Sequence, residues 1–135
     1  YANVRYWGAI GLTAHNAVSE EAGQRLRNTL KDTSPAVRIE AANALARHGD
    51  TKAAVTALIE VLRHENLIVV THAARTIELL GTKARAAKGA MEKALKRADS
   101  IRPPDTPATV VLPGDKDLAM FVAFSCRAFL NGLNK

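Results

Sequence analysis

The chain is predicted to be all-α, an α-solenoid of about three helical hairpins closed by a further C-terminal helix. Three observations carry this expectation. The segment Pro35 to Gly49 (PAVRIEAANALARHG) has weaker copies at Ala2 to Asn16, 33 residues upstream, and at Leu67 to Gly81, 32 residues downstream. Between the copies, Leu26 and Leu30, Leu58 and Leu62, and Met91 and Leu95 each lie four apart, at successive offsets of 32 and 33. Hydrophobic residues make up 47% of the 135 residues but aromatic ones only 4%, so the core must be built from small aliphatic side chains, which let helices approach closely. Self-similarity at such a period marks a stacked repeat. Apolar positions at i, i+3 and i+4 give each unit two short amphipathic helices, whose apolar faces are buried only when pairs stack.

Taken in order, the first helix spans 2–14, where Val4, Ala9 and Leu12 fall on Val37, Ala42 and Leu45 of the strongest copy. The second, 19–31, opens with Glu20 and Glu21 at the positive end of its dipole. The third, 35–48, has Ser34 as N-cap, Pro35 at the first helical position, where its missing N–H is harmless, and Gly49 after its last periodic residue. Asp50 and Asn66 start the fourth and fifth helices, 52–64 and 67–80, and Gly81 ends the fifth. A sixth helix is expected over 83–98.

Residues 99–116 break the rhythm, because no helix runs through Pro103, Pro104, Pro107 and Pro113. The run Val110, Val111, Leu112 implies that this long connection is pinned to something apolar, either its own repeats or, as a docking strand, a partner. A last helix, 117–132, begins at Asp117 as cap, and its Phe121, Phe124 and Phe129 are expected to fill the core. Tyr6 and Trp7 stand together in the first helix, where they either pack internally or meet a domain upstream. The organisation expected is therefore three helix pairs over 1–98, a proline-rich loop over 99–116 and a closing helix over 117–135, in a single domain. A chain that opens on Tyr1 rather than Met reads as a piece of a longer protein.

With these residues in view, the chain resembles the HEAT-repeat family of helical solenoids over residues 2–98, above all in the Pro-x-Val-Arg-x-x-Ala-x-x-Ala-Leu run at Pro35 to Leu45. In that family an Asp before the first helix of a pair and an Arg near its start often form a ladder between repeats. Asp32 and Arg38 fit, whereas the third unit has His64 and Val70 at those places. A narrower similarity, in VRYWGAIGL at Val4 to Leu12 followed by SPAVRIEAANALARHGD at Ser34 to Asp50, is to the helical extension C-terminal to the catalytic domain of some bacterial sulfatases. The resemblance implies a non-catalytic accessory domain of an exported or periplasmic sulfatase, packed on an upstream catalytic domain or on another protein. Cys126-Arg127-Ala128-Phe129 does not match the Cys-x-Pro-x-Arg type motif of such enzymes, so no catalytic or calcium-binding residue carries over.

The chain carries 19 basic and 13 acidic residues, a formal charge of +6. The excess lies downstream: residues 1–66 hold eight Lys and Arg against seven Asp and Glu, and residues 67–135 eleven against six. On a continuous 83–98 helix at about 100° per residue, Ala84, Ala87, Met91, Ala94 and Leu95 share one side while Arg85, Lys93 and Lys96 fall opposite. Aligning the second helices also sets Lys31, Arg63 and Lys96 in one column. In HEAT proteins second helices usually line the concave surface, so the resemblance gives a basic strip for nucleic acid, a sulfated glycan or an acidic protein segment. The same cations also suit helix C-termini and a soluble surface, and no aromatic residue lies among them to stack on bases.

The remaining patterns exclude chemistry. His15, His48, His64 and His72 have no metal-ligand spacing, and His48 before Gly49 reads as a helix end. There is no Gly-rich phosphate loop, no G-x-S-x-G elbow and no facing carboxylate pair. No catalytic residue, metal or cofactor is expected. Cys126, the only cysteine, lies in an apolar stretch as a buried inert thiol, and no apolar run reaches the roughly 18 residues of a membrane span.

Overall fold

The structure, a computed structural model, describes residues 1–14 and 19–134. His15 and Lys135 therefore lie outside the described residues. Seven α-helices account for most of these: α1 (Ala2–Ala14), α2 (Glu20–Thr29), α3 (Pro35–Arg47), α4 (Thr51–Val61), α5 (Leu67–Leu80), α6 (Lys88–Ile101) and α7 (Leu118–Gly132). Among the described residues there is no strand, as the repeat pattern requires. The chain divides into two compact units, Tyr1–Val61 and Leu62–Lys135.

In the first unit α3 is the hub, packing on α1, α2 and α4. Its apolar residues are distributed all round, and Val37, Ile39, Ala41, Ala42, Ala44 and Leu45 are all buried. An alanine-rich helix suits this place because its small side chains let neighbours approach from several directions. Gly49, at φ 100°, ends α3. Its N–H donates to Ala46 O (3.4 Å), and that of Asp50 donates to Leu45 O (2.9 Å), the paired closure that a left-handed residue after a helix permits.

Two carboxylates then set the entries. Asp50 accepts the Ala53 N–H at 3.3 Å, capping α4, and also the Arg27 Nε–H of α2 at 2.7 Å. Asp32 accepts the Ser34 N–H at 2.8 Å and two bonds from Arg5 of α1, Nε to Oδ2 at 2.5 Å and Nη2 to Oδ1 at 3.0 Å. Ser34 stands at the N-cap of α3 but makes no side-chain cap bond, so Asp32 organises this entry in its place. One rung of the expected ladder thus exists, between Asp32 and Arg5, the residue 33 before Arg38. The Nε of Arg38 itself is buried without a hydrogen-bond partner.

In the second unit α7 is the hub, packed on α5 and α6. Val122, Cys126 and Phe129 are buried along it, as are Val70 and Ile77 on α5 and Met91 on α6. Burial pushes the Cys126 thiol up to about 12, so it stays protonated and unreactive, as expected. Asn66 caps α5, its Oδ1 accepting the Ile68 N–H at 2.8 Å.

The expected 83–98 helix is not continuous. Gly81, at φ 56° and ψ −133°, turns the chain out of α5 into a 3-10 segment, Gly81–Ala87, with Ala84 in a non-helical conformation, before α6 begins at Lys88. Downstream, α6 runs on to Ile101, three residues past its expected end, and a short 3-10 turn, Gly114–Asp117, leads into α7.

Candidate functional site

Three surfaces contain the residues singled out from sequence. The first is α1, in which only Ala9 is fully buried. Trp7 is 66% exposed and Val4 65%, while Tyr6 is half-buried. The Tyr6 and Trp7 rings meet edge to face, centroids 5.6 Å apart and planes at 81°. Edge-to-face contact holds the indole in place without covering it. The stripe Val4, Trp7, Gly8, Gly11 follows i, i+3, i+4, i+7, the spacing of one helical face, and all four residues are exposed.

The second surface is the proline-rich loop, and here the structure corrects the sequence reading. Val110 and Val111 are exposed, so they do not pin the loop to its own repeats, the first of the two anchors expected. Arg102 does. At 6% exposure, its guanidinium donates to Pro107 O (2.9 Å), Val110 O (3.0 Å) and Asp117 Oδ1 (2.5 Å). Asp117 Oδ1 also accepts the Leu112 N–H at 3.0 Å. Asp117 is thereby committed to the latch and makes no side-chain cap on α7, contrary to expectation. Pro107 O also accepts the Val110 N–H at 3.0 Å, so one fork of donors fastens a turn that the loop backbone already closes. The latch leaves Val111 facing solvent and Leu112 half-buried. The one signal of this latch in the sequence is a lone Arg102 at the edge of the proline cluster with Asp117 at its far edge.

Two of the three phenylalanines also depart from expectation. Phe129 is buried, but Phe121 is 48% and Phe124 58% exposed. They border an open groove of about 530 Å³ between α7 and α5, whose other wall is Thr71, Arg75 and Glu78. Arg75 and Glu78 are ion-paired there, as are Arg127 and Asp99 beside it (2.6 Å). The groove is apolar with its charges neutralised.

The third surface was to be the basic strip, and it is only partly assembled. Lys31 belongs to the first unit, and Arg63, Arg85, Lys93 and Lys96 to the second. Within the second unit Lys93 and Lys96 are exposed on α6, and Arg63 is exposed before α5. Arg85 lies in the 3-10 segment, outside the register of α6, with Nη2 donating to Leu133 O at 3.3 Å. The one-helix basic face of Arg85, Lys93 and Lys96 therefore does not form, because 3-10 turns advance by about 120° per residue. Arg97 is likewise occupied, its guanidinium donating to His64 O (2.7 Å) and Glu65 O (3.0 Å). Lys31 borders a groove of about 430 Å³ between α2 and α4, floored by Leu30, Ala53 and Ala57 and rimmed also by Lys52 and Glu60.

No group of three or more His, Cys, Asp or Glu is arranged to hold a metal ion among the described residues. His48 ends α3 as expected, and since its Nε2 lies 2.9 Å from Leu12 O, an acceptor, that nitrogen carries the proton. None of the described helices is long and apolar enough to cross a membrane.

A family model for HEAT repeats matches residues 2–78 and again residues 20–102. The chain belongs to the HEAT-repeat family. Its helix pairs are therefore HEAT pairs, and HEAT repeats act as scaffolds for protein interaction. No curated protein and no solved structure matches the chain.

Proposed function

We propose that this HEAT chain is a non-catalytic interaction scaffold that serves as the C-terminal accessory domain of a larger enzyme, a sulfatase, in the periplasm or outside the cell. The observation that carries the scaffold role is α1, where Trp7, in edge contact with the half-buried Tyr6, and the stripe Val4, Trp7, Gly8 and Gly11 are uncovered by the described residues. Contiguous exposed apolar surface of this kind marks a protein contact. Val110, Val111 and Leu112, presented by the Arg102 latch, supply a second contact element. The sulfatase reading rests on the similarity of Val4 to Leu12 and Ser34 to Asp50 to sulfatase extensions.

The test uses the full-length parent. Trp7→Ala splits its melting into two transitions and speeds protease cleavage near residue 1, while the isolated chain melts as before. A parent whose melting and proteolysis are unchanged by Trp7→Ala contradicts the docking role, and a parent without sulfate-ester hydrolysis contradicts the sulfatase assignment.

A second reading, a binding module for an acidic protein segment, is favoured by the α2–α4 groove. Its apolar floor and the exposed Lys31 and Lys52 on its rim offer an anchor and flanking charge to such a segment. The exposed Arg63, Lys93 and Lys96 of the second unit offer charge, without an apolar floor, to a nucleic acid or sulfated glycan; that binding falls steeply with salt and with Lys96→Glu.

A further inference from the structure

The 33-residue register gives every position of α1 an equivalent in α3, and the two differ most in the exposure of one stripe. Val4, Trp7, Gly8 and Gly11 correspond to Val37, Glu40, Ala41 and Ala44. The α3 residues are buried, at 0% exposure for Val37, Ala41 and Ala44 and 7% for Glu40, whereas the four in α1 are open. A Cβ built on Gly8 or Gly11 meets nothing within 4 Å.

In the second unit a stripe of the same spacing lies across an open groove from another helix. In the α5–α7 groove, Phe121, Phe124, Ser125 and Ala128, at i, i+3, i+4, i+7 on the following helix, stand opposite Thr71, Arg75 and Glu78, at i, i+4, i+7 on the preceding one. Stepping back through the repeat, Thr71, Arg75 and Glu78 correspond to Ile39, Asn43 and Ala46 and then to Tyr6, Ile10 and Thr13. Those last three are, with Leu12, the half-buried residues of α1, which packs on α3. In α3, the first helix of its pair, a forward face at Ile39 and Ala46 and a rear face at Val37, Glu40, Ala41 and Ala44 are both buried. In α1 the forward face is used and the rear face is not.

We infer that the rear face of α1 is the docking site for an amphipathic helix of another HEAT pair, laid along Val4, Trp7, Gly8 and Gly11 as α1 is laid on α3. This continues an interface the chain already makes. The stripe carries no charge, Gly8 and Gly11 leave room for a helix backbone to approach, and Trp7 supplies the large apolar contact. The inference rests on the reading of α1 as a contact face and specifies what covers it.

Trp7 is the only tryptophan, so its fluorescence reports on this stripe alone. A copy of residues 2–34, with its own tryptophan changed to phenylalanine, is joined ahead of Ala2 so that the 33-residue period is kept. The expected result is a blue shift of Trp7 emission and a several-fold fall in its quenching by acrylamide, relative to the 135-residue chain. Gly11→Leu reverses both in the extended chain, because it fills the space the added helix needs, yet leaves the melting of the 135-residue chain unchanged or higher. Quenching that stays at the level of the 135-residue chain, with added helix visible by circular dichroism, overturns the inference while leaving the docking role of α1 to the parent-protein test. An extension that adds no helix is replaced by the same measurement with the copy drawn from residues 35–66, and unchanged quenching there overturns it equally. Trp7 burial that grows with the concentration of the 135-residue chain alone identifies a second copy as the occupant and also overturns it.

Discussion

Arg102 reaches two carbonyls and a carboxylate from a position only 6% exposed, and so organises a segment in which four prolines forbid a helix. Truncating it leaves Asp117 without its charge partner and Val110 O without its donor, while Pro107 O keeps the Val110 N–H. Arg102→Ala is expected to destabilise the chain by about 2–3 kcal/mol, less than a fully buried pair would cost because Asp117 keeps 33% side-chain exposure. Chemical denaturation measures this, and limited proteolysis shows the loop opening first. Arg102→Lys recovers little, since an ammonium lacks the planar fork that serves several acceptors at once. Sequence alone expected the loop over 99–116, into which α6 extends as far as Ile101, and did not identify Arg102 as its anchor. Val110, Val111 and Leu112 form an apolar run, and hydropathy does not distinguish a buried run from one held out to solvent.

At the scale of elements, the helices of the repeat were legible because their apolar spacing is dictated by burial. Pro35 and Gly49 bracket α3 where expected, and Asn66 caps α5. The 83–98 element was less legible. Its composition suits a helix, but the conformation of Gly81 starts a 3-10 segment, so Arg85 leaves the face of Lys93 and Lys96. Caps were misassigned where a longer-range partner competed: Asp117 serves Arg102, and Asp32 does the work expected of Ser34.

The same carboxylates make the first unit sensitive to acid. The Arg5 side-chain hydrogen bonds hold Asp32 below the usual carboxylate range, and the Arg27 hydrogen bond does so for Asp50. A carboxyl whose pKa is lower folded than unfolded contributes stability above its unfolded value of about 4, and that contribution is lost as pH falls through the folded value. Thermal melting should therefore drop below about pH 4 and stay level from there to neutrality as far as these two groups are concerned. Asp32→Asn and Asp50→Asn lower the neutral-pH melting temperature and flatten the acid limb. An acid limb of undiminished depth in the double variant would assign it to other groups.

For the molecule as a whole, family and fold class were readable from the period of the pattern, because a repeat cannot bury its apolar face alone and so must write the same stripe again and again. Which stripe lacks a partner was not readable, since Val4, Trp7, Gly8 and Gly11 look as apolar as their buried counterparts in α3. The central claim is that α1 is a contact face completed by protein outside these 135 residues. Hydrogen exchange tests it directly, comparing the isolated chain with its full-length parent. In the isolated chain α1, with Ala9 its sole fully buried residue, exchanges faster than α3. In the parent, the amides of Tyr6 to Leu12 should gain protection by at least about tenfold while those of α3 stay the same. Equal protection of α1 in both would contradict the account.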